Sequence, residues 1–245
     1  MSLFLALILF LCSILQGAVG FGFGTVAIPS LYLIGISLRD AATYVLLGSF
    51  IQLVYGTYKL RAQIPWRQVI FASFFRFLFI PLGVLVLFKL NTMNVDFVRQ
   101  FLGCFILIVL ATQYFFKVES KEKISTVWGV LAFSVSGFFV GMISVGGPTV
   151  VLWTMAHSWQ AQKIRAFMQA VFLVACPYGV YFLYRTFGSE IVPVVGSALI
   201  FSPLIFIGAI IGKRIGDQIS TQKLKQFSYT LLFLLSLSLM FSPFI

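Results

Sequence analysis

Ten stretches of this chain are almost purely apolar, and short polar turns separate them. They run near 2–19, 25–36, 41–58, 68–88 and 97–116, then near 124–142, 147–157, 166–184, 191–212 and 224–242. Most are apolar for about 18 residues or more with charge at the ends, the pattern of membrane-crossing helices. Stretches 25–36 and 147–157 are too short to cross ~30 Å of hydrocarbon at ~1.5 Å per residue. Each is joined to a Gly/Pro-rich interruption. The first reads Gly20-Phe21-Gly22-Phe23-Gly24-Thr25-Val26-Ala27-Ile28-Pro29, and the second Gly141-Met142-Ile143-Ser144-Val145-Gly146-Gly147-Pro148-Thr149. In lipid every peptide group must find a partner, so broken helix is tolerated only where protein or a polar cavity supplies one. Two such breaks in corresponding places of two halves point to the binding site of a secondary transporter.

The halves divide at the charged stretch Lys117-Val118-Glu119-Ser120-Lys121-Glu122-Lys123, and their features recur in the same order. Pro29 pairs with Pro148, the turn with Arg39 and Asp40 pairs with that holding Lys163 and Arg165, and Gly83 pairs with Gly208. Arg99-Gln100-Phe101 pairs with Lys225-Gln226-Phe227 at the start of the last helix of each half. An old internal duplication is expected, with residues 1–118 and 119–245 as its copies.

Loop charge then chooses between two topologies. If the short segments do not change side, eight crossings put nine basic residues on one side and seven on the other, which is no asymmetry. If they do, one side collects twelve basic residues and the other keeps Arg39, Lys89, Arg99 and Arg185. Twelve against four is a positive-inside signal. The expected fold is therefore an all-α polytopic membrane protein. It has two inverted repeats of five helical segments each, in one integral membrane domain, with both termini outside the cytoplasm.

Composition agrees. Sixty per cent hydrophobic residues, 9% charged residues and a mean hydropathy of +1.05 exclude a soluble globular domain. A net charge of +11 would suggest nucleic acid in a soluble protein, but here it belongs to cytoplasmic loops, and no nucleic-acid partner is expected. The first sixteen residues lack a basic leader and should remain as the first helix. Cys12, Cys104 and Cys176 are widely spaced and there is one His, so neither a disulfide framework nor a metal site is indicated, and no cofactor is expected. Paired carboxylates and a Ser-His-Asp set are also missing, which argues against an enzyme.

At the breaks, Gly22, Gly24, Gly146 and Gly147 are expected to bring backbone to a ligand with φ > 0. Pro29 and Pro148 fit a helix start just after each break. Thr25 and Thr149 can add hydroxyl donors. Both short helices would then aim their positive ends at one anion near the bilayer midplane. Close-packing glycines are the competing explanation for either motif alone. Arg76 is the one basic residue well inside a predicted span, either binding the anion or capping carbonyls of the opposite break. Gln52 and Gln169, on the helices after the breaks, could donate to an oxyanion or join helix to helix. His157, beside Trp159, reads as an interfacial anchor rather than a proton carrier. All six acidic residues lie in predicted loops or at helix edges, so no intramembrane carboxylate relay is present.

The residues Gly20–Pro29 with Leu31 to Gly35, the pattern Gly137-x3-Gly141-x4-Gly146-Gly147-Pro148 and the two-half layout resemble the TauE/SafE family of sulfite exporters. The likeness covers essentially the whole chain. It implies transport of a small sulfur-containing anion such as sulfite, sulfoacetate or another organosulfonate, across a bacterial inner membrane. Phe21 and Phe23 depart from the family pattern, in which glycines run together, and they narrow the backbone surface near the presumed site. Sodium-coupled uptake, and a role as a membrane assembly subunit, stay open at this point. So do the identity of the anion and a homodimeric state.

Overall fold

The structure is a computed structural model that describes residues 2–20, 22–115, 125–219 and 221–241. The charged stretch 117–123, with the boundary between the expected halves, lies outside the described residues, as does Phe21. Ten α-helices and two short 3-10 turns make up the described residues. They are α1 (Ser2–Val19), α2 (Phe23–Leu33), α3 (Leu38–Lys59), α4 (Trp66–Asn91) and α5 (Val95–Phe115), then α6 (Thr126–Ile143), α7 (Gly147–Met155), α8 (Ala161–Phe187), α9 (Val192–Gln218) and α10 (Thr221–Phe241). Four stretches are long and apolar enough to cross a membrane: Trp66–Asn91, Val95–Phe115, Thr126–Ile143 and Ala161–Gln218. The last of these holds both α8 and α9, 27 residues each, turning at Gly188–Ile191. On α4 the side chains of Ile70, Phe74, Leu78, Leu82 and Leu85 are exposed along one stripe, an apolar face fit for lipid.

Several helices run past the apolar pattern, while α2 and α7 stop short of it, at Leu33 rather than 36 and Met155 rather than 157. α3 begins at Leu38 rather than 41, α8 at Ala161 rather than 166, and α9 runs to Gln218 rather than 212. Arg39, Lys163, Arg165, Lys213 and Arg214 therefore stand on terminal helical turns, not in loops. Hydropathy marks the part in hydrocarbon, whereas the backbone ladder continues until a cap stops it. At α3 the start is set by Ser37, whose Oγ accepts from the Asp40 N–H at 3.1 Å.

Small residues let the helices approach. α4 and α6 run parallel and touch along Arg76–Gly137 and Gly83–Gly141, where a Cβ on Gly137 would stand 2.6 Å from the Arg76 Cα. α1 and α9 also run parallel, with Gly208 against Phe10 and Ser13 and Gly212 against Ile14. α3 and α8 are antiparallel: Leu46 meets Gly179, Gly56 meets Gln169, and Gln63 donates to Gln162 at 2.7 Å. α5 and α10 also cross in opposite directions, Gly103 facing Ser236 and Met240 while Gln113 shares a cavity with Ser228 and Tyr229. Exchanging α1–α5 with α6–α10 maps these contacts onto one another.

Candidate functional site

Both interruptions end at one place. α1 closes with the Gly20 N–H donating to the Gln16 carbonyl at 2.7 Å, and Gly20 and Gly22 then carry the chain through φ values of 91° and 102°. α2 starts directly after, at Phe23. In the second break the left-handed residue is Ser144, at φ 55°, and α7 starts at Gly147 with Pro148 in its first turn. The expected left-handed backbone is thus present at Gly22 but not at Gly24, Gly146 or Gly147. Gly24 serves close approach instead: a Cβ there would lie 2.6 Å from the Ser144 carbonyl oxygen. Gly146 is wedged against Val140 and Ser136, and the Ser136 hydroxyl donates to its carbonyl at 2.7 Å. A Cβ on Gly147 meets nothing within 4 Å, so this position faces open space.

Pro29 corrects the expected register. It lies buried in the interior of α2, six residues past the helix start, whereas Pro148 does mark a start. Aligned on their first helical residues, α2 and α7 place Thr25 opposite Thr149 and Gly22 opposite Gly146. The pairing of Pro29 with Pro148 was thus a coincidence of composition. Proline inside a membrane helix is tolerated because neighbours re-satisfy the freed carbonyl.

The two helix starts border a single cavity of about 90 Å³. That is several times the ~10–15 Å³ needed to hold a single water, a space on the scale of a small oxyanion. Gly22, Gly24 and Thr25 line it from one break, and Gly146, Gly147 and Pro148 from the other. Arg76 on α4 and Gln16 on α1 complete its polar wall with Ser49, Gln113, Ser144 and Ser228. Phe23, Leu53, Phe172 and other apolar side chains make up the remainder of the wall. The first amides of α2 and α7 have no intrahelical acceptor, and each helix directs its positive end here. The Thr25 hydroxyl is already engaged, donating to the Gly22 carbonyl at 2.7 Å. Thr149 Oγ1 is buried without a partner among the described residues and stands outside the cavity wall.

Arg76 is the largest fully buried side chain. Its backbone is clamped by Gly137 of α6, and its guanidinium reaches across to α8. There Nη1 donates to the Val171 carbonyl at 2.7 Å, and the cation lies 5.0 Å from the Phe172 ring centroid. The bond goes to mid-helix α8 and not to the opposite break. Nε and Nη2 have no partner among the described residues. These two donors form one edge of the guanidinium plane, a parallel fork that matches two oxygens of a planar or pyramidal oxyanion. No acidic side chain lines the cavity among the described residues. A buried cation with two idle donors is costly in an apolar setting.

Gln52 and Gln169 are placed elsewhere. Both border a second cavity of about 430 Å³ next to the first, and Gln16 lines both spaces. His157 packs with tilted rings against both Trp153 and Trp159, with ring centroids 4.0 and 4.5 Å away, and its Nδ1 pairs with the Trp153 carbonyl at 3.0 Å. The ring is thus fixed in an aromatic cluster away from the cavity. Sequence reasoning missed Gln16 and Ser144. A lone amide four residues before Gly20, and a serine directly after an apolar helix, were their only marks. Gln113 and Ser228 had no signal at all, since packing of α5 and α10 alone brings them in.

No curated protein and no solved structure matches this chain in comparison. The model of the sulfite exporter TauE/SafE family matches residues 5–239, nearly the whole length. Built as a helical membrane protein with two meeting breaks, this chain belongs to the sulfite exporter TauE/SafE family of transporters.

Proposed function

We propose that the chain is a secondary carrier that moves a small sulfur-containing anion, sulfite or an organosulfonate such as sulfoacetate, out of the cell. Transport proceeds by alternating access around the cavity at the two breaks. The observation that carries this reading is the convergence of both helix starts with the idle Nε–Nη2 edge of Arg76 in one largely apolar pocket. A trigonal oxyanion offers several acceptors to these donors, and the pocket has room for it.

The halves act as inverted repeats with both termini outside the cytoplasm. Antiparallel pairing of α3 with α8 and of α5 with α10 supports this, because eight simple crossings would leave both pairs parallel. The loop charge of twelve against four agrees in sign.

Export suits the absence of an intramembrane carboxylate. In a cell negative inside, outward movement of one anion releases about 2.3 kcal/mol per 100 mV. At ~1.4 kcal/mol per decade, this sustains export of a monoanion against a gradient of roughly fifty-fold without a coupling ion. Counterflow of labelled sulfite in proteoliposomes, with and without Na⁺, tests the proposal. Saturable exchange that ignores Na⁺ is expected. A strict Na⁺ requirement would favour coupled uptake, and no exchange of any of sulfite, sulfoacetate or taurine would overturn the reading.

A further inference from the structure

Beside the central cavity the second space is built differently. Its mouth carries Lys59 at the end of α3, Arg165 in the first turns of α8 and Lys213 near the end of α9, all exposed, against one carboxylate, Asp217. Four helices from both halves contribute, α1 included. Deeper in stand three amide side chains, Gln16, Gln52 and Gln169. Gln16 and Gln52 are 7% and 6% exposed, and Gln16 Oε1, both polar atoms of Gln52 and Gln169 Oε1 lack partners among the described residues. The Gln169 amide lies against Gly56, where a Cβ would collide with it. The helix–helix hydrogen bond that would explain Gln52 and Gln169 structurally is therefore not made.

Buried amides without partners cost free energy unless something polar visits them. Of these idle atoms the three oxygens are acceptors and Gln52 Nε2 is a donor, so the path behind the net positive mouth is graded from charge at the entrance through the Gln52 N–H to the Arg76 pocket. We infer that this space is a second anion station, which captures the oxyanion at Lys59, Arg165 and Lys213 and passes it along Gln52 and Gln169 to Gln16, the residue shared with the central cavity. Charge at the mouth concentrates anions, because a cleft lined by one sign raises local counter-ion concentration. The Gln52 amide N–H replaces part of the hydration shell with a neutral donor too weak to trap the ion. The inference takes its ligand class, a sulfur oxyanion, from the function proposed above, but the electrostatic character of the station stands apart from it.

The test uses the full chain in nanodiscs with the exposed Cys104 changed to Ser and a single reporter, Gln162→Cys, at the mouth. Labelling rates are compared for an anionic methanethiosulfonate (sulfonatoethyl) and a cationic one (trimethylammonioethyl), with Asn94→Cys on the opposite end as control. The expected result is an anion-to-cation rate ratio about tenfold above the control. Lys59→Gln/Arg165→Gln/Lys213→Gln should return it to the control value. Millimolar sulfoacetate, which unlike sulfite does not consume thiosulfonate reagents, should slow labelling in the parent and in Arg76→Gln, but not in the triple variant. No anion preference at Gln162→Cys overturns the station. Preference without sulfoacetate protection shows steering charges alone and also overturns it. Preference and protection in a protein that fails to transport would instead sink the transport proposal and leave the station standing.

Discussion

Arg76 offers the sharpest test, because its two proposed roles predict opposite signs. The side chain is fully buried, makes one hydrogen bond to Val171 and leaves Nε and Nη2 idle. Replacing it with Met removes that bond, worth ~1.5–3 kcal/mol for a charged donor, and the contact with Phe172, worth ~0.5–2 kcal/mol. It also removes a desolvated charge whose penalty is several kcal/mol, so the ligand-free protein should melt at the same temperature or higher. Binding should move the other way. Truncating one partner of a buried charge pair costs on the order of 2–4 kcal/mol, about 30- to 700-fold in Kd. At a sulfite concentration 100 times the Kd, the ligand stabilises the wild type by about 2.7 kcal/mol, and a hundredfold weaker variant by only about 0.4 kcal/mol. Thermal-shift titration of Arg76→Met and Arg76→Gln reads both effects at once. Arg76→Lys should recover part of the binding, since an ammonium cannot offer the planar fork. A variant that melts lower without ligand yet keeps the full sulfite shift would refute the argument and make Arg76 a tie between α4 and α8.

Three further outcomes are expected. Gly147→Leu should abolish counterflow in a protein that still purifies and melts normally, because its side chain enters open space at the cavity; Gly24→Leu, 2.6 Å from the Ser144 carbonyl, should lower the melting temperature itself. Full transport by a stable Gly147→Leu protein would remove the ligand from the break. Gln162→Cys should label from the cytoplasm, and Asn94→Cys and a C-terminal tag from outside, in intact cells; the reporter at Ser120 should join Gln162, and opposite faces for those two would break the inverted-repeat proposal. Burial against the Trp153–Trp159 cluster holds His157 below its ordinary range, so the folded state resists its protonation and stability is lost as pH falls below about 6.5. In melting curves between pH 8 and 5, His157→Phe should flatten that loss and leave the pH profile of transport unchanged; a shifted transport profile would make His157 a proton carrier.

Much of the architecture was legible in the chain because the bilayer enforces it. Hydropathy located every long helix, and the Gly/Pro interruptions announced both short ones, since hydrocarbon forbids unpaired backbone except at a polar site. Loop charge pointed to the same topology that the antiparallel α3–α8 contacts support. Helix ends were not legible, because the ladder outlasts the apolar stretch and caps such as Ser37 decide where it stops. The site was half legible. Glycines and Arg76 stood out as anomalies in an apolar context, whereas their roles depended on neighbours. Which residue turns left-handed, Ser144 rather than Gly146 or Gly147, is set by how α6 closes onto Phe139 and Val140. Pro29 looked like a helix start and sits inside one, since composition cannot place register. Gln52 and Gln169 stood out as amides on the helices after the breaks, but only the packing of α3 against α8 decided that they face a different cavity from Arg76. Periodicity and cost in lipid act along the chain and can be read there; the meeting of two breaks, one guanidinium and three idle amides is made by contacts between distant helices, which only the tertiary structure determines.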